Sequence, residues 1–265
     1  MAELMTISGM VLSSMPMGEY DRRIVLLTPD RGKISGFARG ARRPGNLMMA
    51  ASQPFVYADF SAFEGKSSYT FTGAKVVEYF DSLREDITLM TYGSYFLELA
   101  GYFTRENEDC RDTLALLYLA VKALVRRKIP VELIRELFEL RMLTIHGEYP
   151  DFFTCCECGR RENLAVFSLA GKGMLCAEHA GSERRLREGD RGECPSFEVK
   201  GRVFLSPAAV YAAQMAVTAP LGRLFAFTIS REAVAQLREV LDLFMGQVID
   251  RKIKSLELLS VLQQE

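Results

Sequence analysis

Four of the six cysteines and one of the two histidines fall within residues 155–179. Cys155-x-x-Cys158 and Cys176-x-x-His179 form two pairs separated by seventeen residues, the spacing of a structural zinc module. Each pair makes a tight turn that presents two donors to one ion. Thiolate sulfur and imidazole nitrogen both suit tetrahedral Zn2+. Gly159 follows the second cysteine, where the turn needs a positive φ that costs glycine nothing. Four ligands leave no open coordination position, so the expected cofactor is a Zn2+ that folds its segment and does not react.

Other uses of these side chains fit less well. Cys156-Glu157-Cys158 leaves one residue between ligands, and Cys194 as fourth ligand in place of His179 breaks the paired spacing. A disulfide framework belongs to oxidising compartments. The N-terminus has no basic segment leading into an apolar run, so no signal peptide is expected and the chain is expected to be cytoplasmic. No apolar stretch reaches membrane-spanning length. His146-Gly147-Glu148 followed by Cys155-x-x-Cys158 superficially resembles a zinc nucleobase deaminase, but Thr154 stands where that signature has proline. Cys110 lies in a helical pattern and is expected to be a small buried side chain.

A second chemistry is carried by charge. The 33 basic and 34 acidic residues leave a net charge of −1, which excludes a uniformly basic nucleic-acid binder. The basic residues are nevertheless clustered. Arg22, Arg23, Arg31, Lys33, Arg39, Arg42 and Arg43 lie in a stretch of 22 residues that holds one acid, Asp30. Tyr20 and Phe37 stand beside them. Cations interleaved with aromatics are what a groove for a single strand requires, since phosphates need charge and bases need flat faces to stack on.

Elements must position both sets. Residues 7–12, 23–28, 34–39, 55–63 and 69–72 read as strands, with a hairpin turn in Thr28-Pro29-Asp30-Arg31-Gly32. Five short strands in about 75 residues suggest a small closed or partly closed barrel, because closure removes exposed edges. From Asp81 the apolar residues recur at three and four: Leu89, Tyr92, Phe96, Leu99 and Phe103, then Leu114, Leu117, Val121 and Leu124, then Leu133, Leu137, Leu140 and Leu143. Gly147 suits the end of the third helix. Residues 181–193 are polar, without apolar period, and read as a solvated loop. Ser206-Pro207 and Ser230 open two further helices. At 265 residues the chain is expected to form two domains, 1–80 and 81–265, with the zinc module at 150–182.

Several stretches taken together resemble the RecO family of bacterial recombination mediators. They are Gly18-Glu19-Tyr20-Asp21-Arg22, Arg31-Gly32-Lys33-Ile34-Ser35, Phe37-Ala38-Arg39-Gly40-Ala41-Arg42-Arg43-Pro44, Gln53-Pro54-Phe55, Phe96-Leu97-Glu98-Leu99-Ala100, Phe138-Glu139-Leu140-Arg141, Cys155-x-x-Cys158-Gly159, Leu205-Ser206-Pro207 and Lys254-Ser255-Leu256. His179 departs from the fourth cysteine of many members, and zinc accepts either. The resemblance implies an α+β chain: an N-terminal OB-fold β-barrel, then an α-helical domain carrying the zinc finger. It implies no enzyme activity. The implied role is binding single- and double-stranded DNA, annealing complementary strands and, with RecR, helping load RecA onto strands coated by single-strand-binding protein. A nucleoid-associated, cytoplasmic location goes with that role. Arg22, Arg23, Lys33, Arg39, Arg42 and Arg43 are the expected DNA contacts. The basic and apolar tail, Arg251, Lys252, Lys254 and Leu256, is the expected dock for the C-terminal tail of the single-strand-binding protein. The alternative for a chain of neutral net charge is a zinc-containing scaffold that binds only proteins.

Overall fold

The computed structural model describes residues 3–66, 68–180 and 201–262. The polar stretch 181–193 and Cys194 lie outside the described residues. Contacts divide the chain into two compact units: Met1–Val131 together with Ile253–Glu265, and Glu132–Lys252.

The first unit is built on β1 (Leu4–Met17), β2 (Asp21–Thr28), β3 (Gly32–Ala38), β4 (Tyr57–Glu64) and β5 (Tyr69–Glu78), which close into a barrel of order β1-β2-β3-β5-β4. This is the OB-type barrel expected. The long first strand allows closure: Leu4 to Met10 pair with β4, and Met10 to Met17 pair with β2. A bulge between Val11 and Ser13, just past the residue where the halves meet, bends the strand. Alternation does the rest. Ile34, Gly36 and Ala38 of β3 and Ala58, Phe60 and Ala62 of β4 face inward at every second position, and Ile7, Val11, Ile24, Leu26 and Phe71 join them in the barrel core. The parallel β3–β5 pair is its tightest point, where a side chain at Gly36 would put Cβ 2.3 Å from the Tyr69 carbonyl oxygen. Only glycine allows that approach.

A four-residue turn of helix, α1 (Met48–Ala51), covers one end of the barrel. The barrel packs against α2 (Ile87–Phe103) and α3 (Arg111–Arg126). Asp86 caps α2 by accepting from the amides of Thr88 and Leu89. A further helix, numbered α7 in chain order (Lys254–Leu262), returns from the end of the chain to pack on α2. The change from strand to helix thus falls near residue 80, as read, whereas the compact units part at Val131 and rejoin the C-terminal helix to the barrel.

The second unit contains most of α4 (Val131–Ile145), a sheet of order β6-β8-β7-β9, and two helices, α5 (Pro207–Thr218) and α6 (Arg231–Val248). The strands are β6 (Asp151–Cys155), β7 (Leu164–Ser168), β8 (Gly173–Cys176) and β9 (Arg202–Phe204). Gly147 ends α4 with φ +74°, while the amide of Glu148 donates back to Leu143. Ser206 and Ser230 cap α5 and α6 through their hydroxyls, as their sequence positions predict. Phe152 and Phe167, fully buried with ring centroids 6.2 Å apart, anchor the sheet.

Candidate metal centre and nucleic-acid interface

Both cysteine pairs sit where a strand ends in a turn. β6 delivers Cys155 and β8 delivers Cys176, and these two strands are neighbours in the sheet. The turn after Cys155 is closed by the Gly159 amide donating to the Cys155 carbonyl at 2.8 Å, with Gly159 at φ +71°. The turn after Cys176 is closed by the amides of His179 and Ala180, which both donate to the Cys176 carbonyl. As a result Cys155 Sγ, Cys158 Sγ, Cys176 Sγ and a ring nitrogen of His179 lie within 4.8 Å of one another. Nδ1 of His179 is 3.2 Å from Cys176 Sγ and 3.8 Å from Cys155 Sγ. Four donors around one point can hold a metal ion. His146 and Glu148 are not in this group, and Cys156 is exposed beside it.

The electrostatics of the turns suit a cation. Burial pushes the Cys155 thiol up, but backbone amides of Cys176, Cys158 and Glu157 donate to its sulfur and bring it below the ordinary thiol value. For Cys176 the His179 amide is the largest influence; it outweighs burial, and the thiol is again held down. At Cys158 the Arg160 amide pulls the same way, yet burial and the two neighbouring thiols prevail and push it up. Two thiolates so close disfavour a third until a cation joins them. An ion pair between Arg160 and Glu178 at 2.5 Å ties one turn to the other from outside.

The predicted DNA contacts divide along the β2–β3 hairpin. Arg22 and Arg23 are at the start of β2, opposite Ala38 and Phe37 in register, and Arg39, Arg42 and Arg43 follow the end of β3. Five of the six therefore gather at one corner of the barrel. Lys33 is at the other end of the hairpin, opposite Leu27, and its ammonium donates to the Gly101 carbonyl on α2. Six residues of extended chain separate it from Arg39, about 20 Å.

At the corner the β1–β2 turn meets the loop after β3. The Arg42 amide donates to the Tyr20 carbonyl and its guanidinium to the Gly18 carbonyl, each at 2.8 Å. The Arg43 guanidinium stacks over the Tyr20 ring, 4.8 Å from its centre. Arg22 donates to Ser14. Between turn and loop lies a cleft of about 440 Å³ lined by Met17, Gly18, Glu19, Tyr20, Asp21, Arg39, Gly40, Arg43 and Asn46. Sequence reasoning missed Asp21, whose carboxylate is 2.7 Å from the Arg39 guanidinium and accepts from the Gly40 amide at 2.8 Å. The Gly40 amide is the main cause that holds the Asp21 carboxyl below its ordinary value, with Arg39 and Arg43 adding to it against burial. Its signal in the sequence was an acid placed one residue before the basic run.

The residues expected to dock a partner fall on both sides of the unit boundary: Arg251 and Lys252 belong to the second unit, Lys254 and Leu256 to the first. In the first unit Glu98 of α2 accepts from the amides of Lys254 and Ser255 and from the Ser255 hydroxyl, and so caps α7. No helix among the described residues is long and apolar enough to cross a membrane.

A family model described as Recombination protein O N terminal matches residues 1–80, and one described as Recombination protein O C terminal matches residues 84–257. The chain belongs to the RecO family. Proteins named DNA repair protein RecO are similar along it. That of Acetivibrio thermocellus is 28% identical over 259 residues, covering 97% of this chain and 96% of the relative. That of Symbiobacterium thermophilum is 28% identical over 264 residues, covering 98% of each. A shorter match, 34% identical over 174 residues, relates 65% of the chain to 71% of the protein from Alkaliphilus metalliredigens. Stretches that carried the resemblance to the RecO family meet in space: 18–22 faces 37–44 across the cleft, and 96–100 caps 254–256.

Proposed function

We propose that this chain is a non-enzymatic, cytoplasmic DNA-repair mediator that binds single- and double-stranded DNA, anneals complementary strands and, with RecR, helps load RecA onto strands coated by single-strand-binding protein. The observation that carries the reading is the basic corner of the barrel, where Arg43 lies on the Tyr20 ring, Arg42 donates to Gly18, Arg39 follows the end of β3, and Arg22 and Arg23 stand across the hairpin from Ala38 and Phe37. Phosphates bind such a corner through charge, while aromatic faces take bases in any sequence. Annealing follows from the same physics. Cations reduce the repulsion between two backbones and leave the base edges free to pair. Lys33, engaged with Gly101 at the far end of the hairpin, contributes less.

The metal proposed for Cys155, Cys158, Cys176 and His179 is Zn2+ in a structural role. Sulfur ligands at about 2.3 Å around a tetrahedral ion lie about 3.8 Å apart. Cys158 and Cys176 Sγ are 3.9 Å apart. When bound, the ion neutralises the thiolates and ties the β6 and β8 turns together; the protein side chains supply all the coordination.

Stopped-flow annealing of complementary oligonucleotides tests the function. The variant Arg39→Ala/Arg42→Ala/Arg43→Ala is expected to anneal at least tenfold more slowly than the parent while keeping its melting temperature. Annealing at the parental rate by the folded variant would leave the scaffold reading, in which the chain contacts only proteins. The proposed dock for the acidic tail of the single-strand-binding protein, Arg251, Lys252, Lys254 and Leu256, rests on the family resemblance and on the pairing of cations with apolar side chains. Calorimetric titration of that tail peptide is expected to weaken about tenfold in Arg251→Glu/Lys254→Glu, and an unchanged affinity removes this surface.

A further inference from the structure

The Arg39–Gly40 corner carries an anion already. One carboxylate, that of Asp21, takes both the Arg39 guanidinium at 2.7 Å and the Gly40 backbone amide at 2.8 Å. Gly40 has φ +65°, and its amide is one of the donors an incoming anion would use. A guanidinium and a backbone amide converging on one anion is also how proteins seat a phosphodiester oxygen. Arg39 is well exposed, with 62% of its side chain open to solvent against 24% for Asp21. The pair therefore sits at the lip of the cleft, with Arg43 on Tyr20 on the same wall.

The other arginines of the corner are engaged differently. Arg42 donates to a neutral carbonyl and Arg43 lies on a ring, so neither has its charge cancelled by the contact. Glu19, close to Asp21 in sequence and lining the same cleft, is exposed and makes no ion pair among the described residues. Of the two acids in this turn, Asp21 alone occupies the donors that a phosphate needs.

We infer that the Arg39–Gly40 corner is a phosphate seat for a single strand, and that Asp21 holds it as an internal competitor which DNA must displace. The inference rests on the DNA-binding reading above and adds a regulatory residue to it. A strand docking at the corner first takes Arg42 and Arg43 and gains the Arg39 contact only when the carboxylate swings away. Asp21 thereby lowers affinity and quickens release, which suits a protein that must let two annealed strands go.

The test is fluorescence anisotropy of a labelled single-stranded oligonucleotide against full-length protein over a series of salt concentrations. Asp21→Asn keeps an oxygen to accept from Gly40 and removes the charge. It is expected to bind about two- to fivefold more tightly at low salt, the scale of one exposed ion pair. Log affinity should also fall more steeply with log salt, by up to about 0.7, the contribution of one phosphate contact on a single strand, since in the parent Asp21 keeps Arg39 from phosphate in part of the complexes. Glu19→Gln removes an equal charge from the same turn and is expected to leave the slope unchanged. In the Arg39→Ala background the gain from Asp21→Asn should vanish. Asp21→Ser, which also keeps an acceptor, serves if the asparagine variant fails to fold. A folded Asp21 variant whose affinity is unchanged or weaker, or a gain that survives Arg39→Ala, overturns the inference. Its failure is distinguishable from failure of the DNA reading, because the latter shows in the parent protein and in the triple arginine variant.

Discussion

The Zn2+ proposed for the cysteine–histidine cluster is expected to be lost from Cys176→Ser protein, and with it the cooperative unfolding of the second unit. Structural zinc sites of this type have apparent binding free energies of about 10–16 kcal/mol, which matches or exceeds the whole stability of most domains. Cys176 is central to the cluster, 3.2 Å from the His179 ring and 3.9 Å from Cys158 Sγ. It also ends β8, the strand that lies between β6 and β7. Loss of the ion therefore leaves the neighbouring strands without their common tie and exposes Val166, Leu175 and Ala180, the apolar residues packed around the ligands. Metal content by mass spectrometry and thermal melting give the readout. Cys156→Ser, at an exposed cysteine outside the cluster, should keep both properties. Retention of metal and melting temperature by Cys176→Ser would show that the ligands are misassigned.

The second large effect is expected in the interior of the second unit. Arg135 is 5% exposed and bridges Glu139 on its own helix, 2.6 Å away and fully buried, to Asp242 of α6 at 3.0 Å. Beside them Glu136, 1% exposed, accepts from Arg238 at 3.0 Å. Charges taken from water in this way are held by their partners, and removal of one partner typically costs about 3–5 kcal/mol. Arg135→Met is thus expected to destabilise the protein by that amount in urea titrations. The loss should grow with pH. Burial and the charge of Glu139 push the Glu136 carboxyl well above its ordinary value, against the pull of Arg135 and Arg238. A group whose folded value is raised binds its proton in the fold where the unfolded chain has released it, so stability falls as pH rises through that interval. Removing Arg135 raises Glu136 further and extends the interval at its upper end, so the added loss develops as pH rises above about 8, the value to which Glu136 is already raised in the parent. A loss below about 1 kcal/mol, or one that does not grow above that pH, contradicts the role given to this pair.

How much of this was legible in the sequence depended on the range of the interaction. The barrel strands could be read because alternation is local: Ala58, Phe60 and Ala62 are two apart and all face inward. The metal turns could be read because each places two ligands within four residues, the first with Gly159 beside them, and so fixes its geometry locally. Strands β7, β8 and β9 could not. They have three to five residues, and β8 is buried throughout, so no period exists to detect. The helix at the C-terminus was missed for a different reason, since its cap is Glu98, 156 residues away in the chain. Charge counting found the basic segment but gave no account of pairing. It could not separate Lys33, tied to α2, from the arginines of the corner, nor see that Asp21 answers Arg39 across the hairpin.

The claim on which the account turns is that this corner of the barrel holds DNA by its phosphates. Anisotropy titrations of one labelled single strand, with parent and Arg39→Ala/Arg42→Ala/Arg43→Ala protein at several salt concentrations, test it most directly. The slope of log affinity against log salt should flatten by about 1.4 if Arg42 and Arg43 alone contact phosphate, and by about 2 if Arg39 is released as well. The weakening should be alike for oligonucleotides of different composition, because phosphate contacts carry no sequence information. A folded variant with the parental slope and affinity would contradict the account.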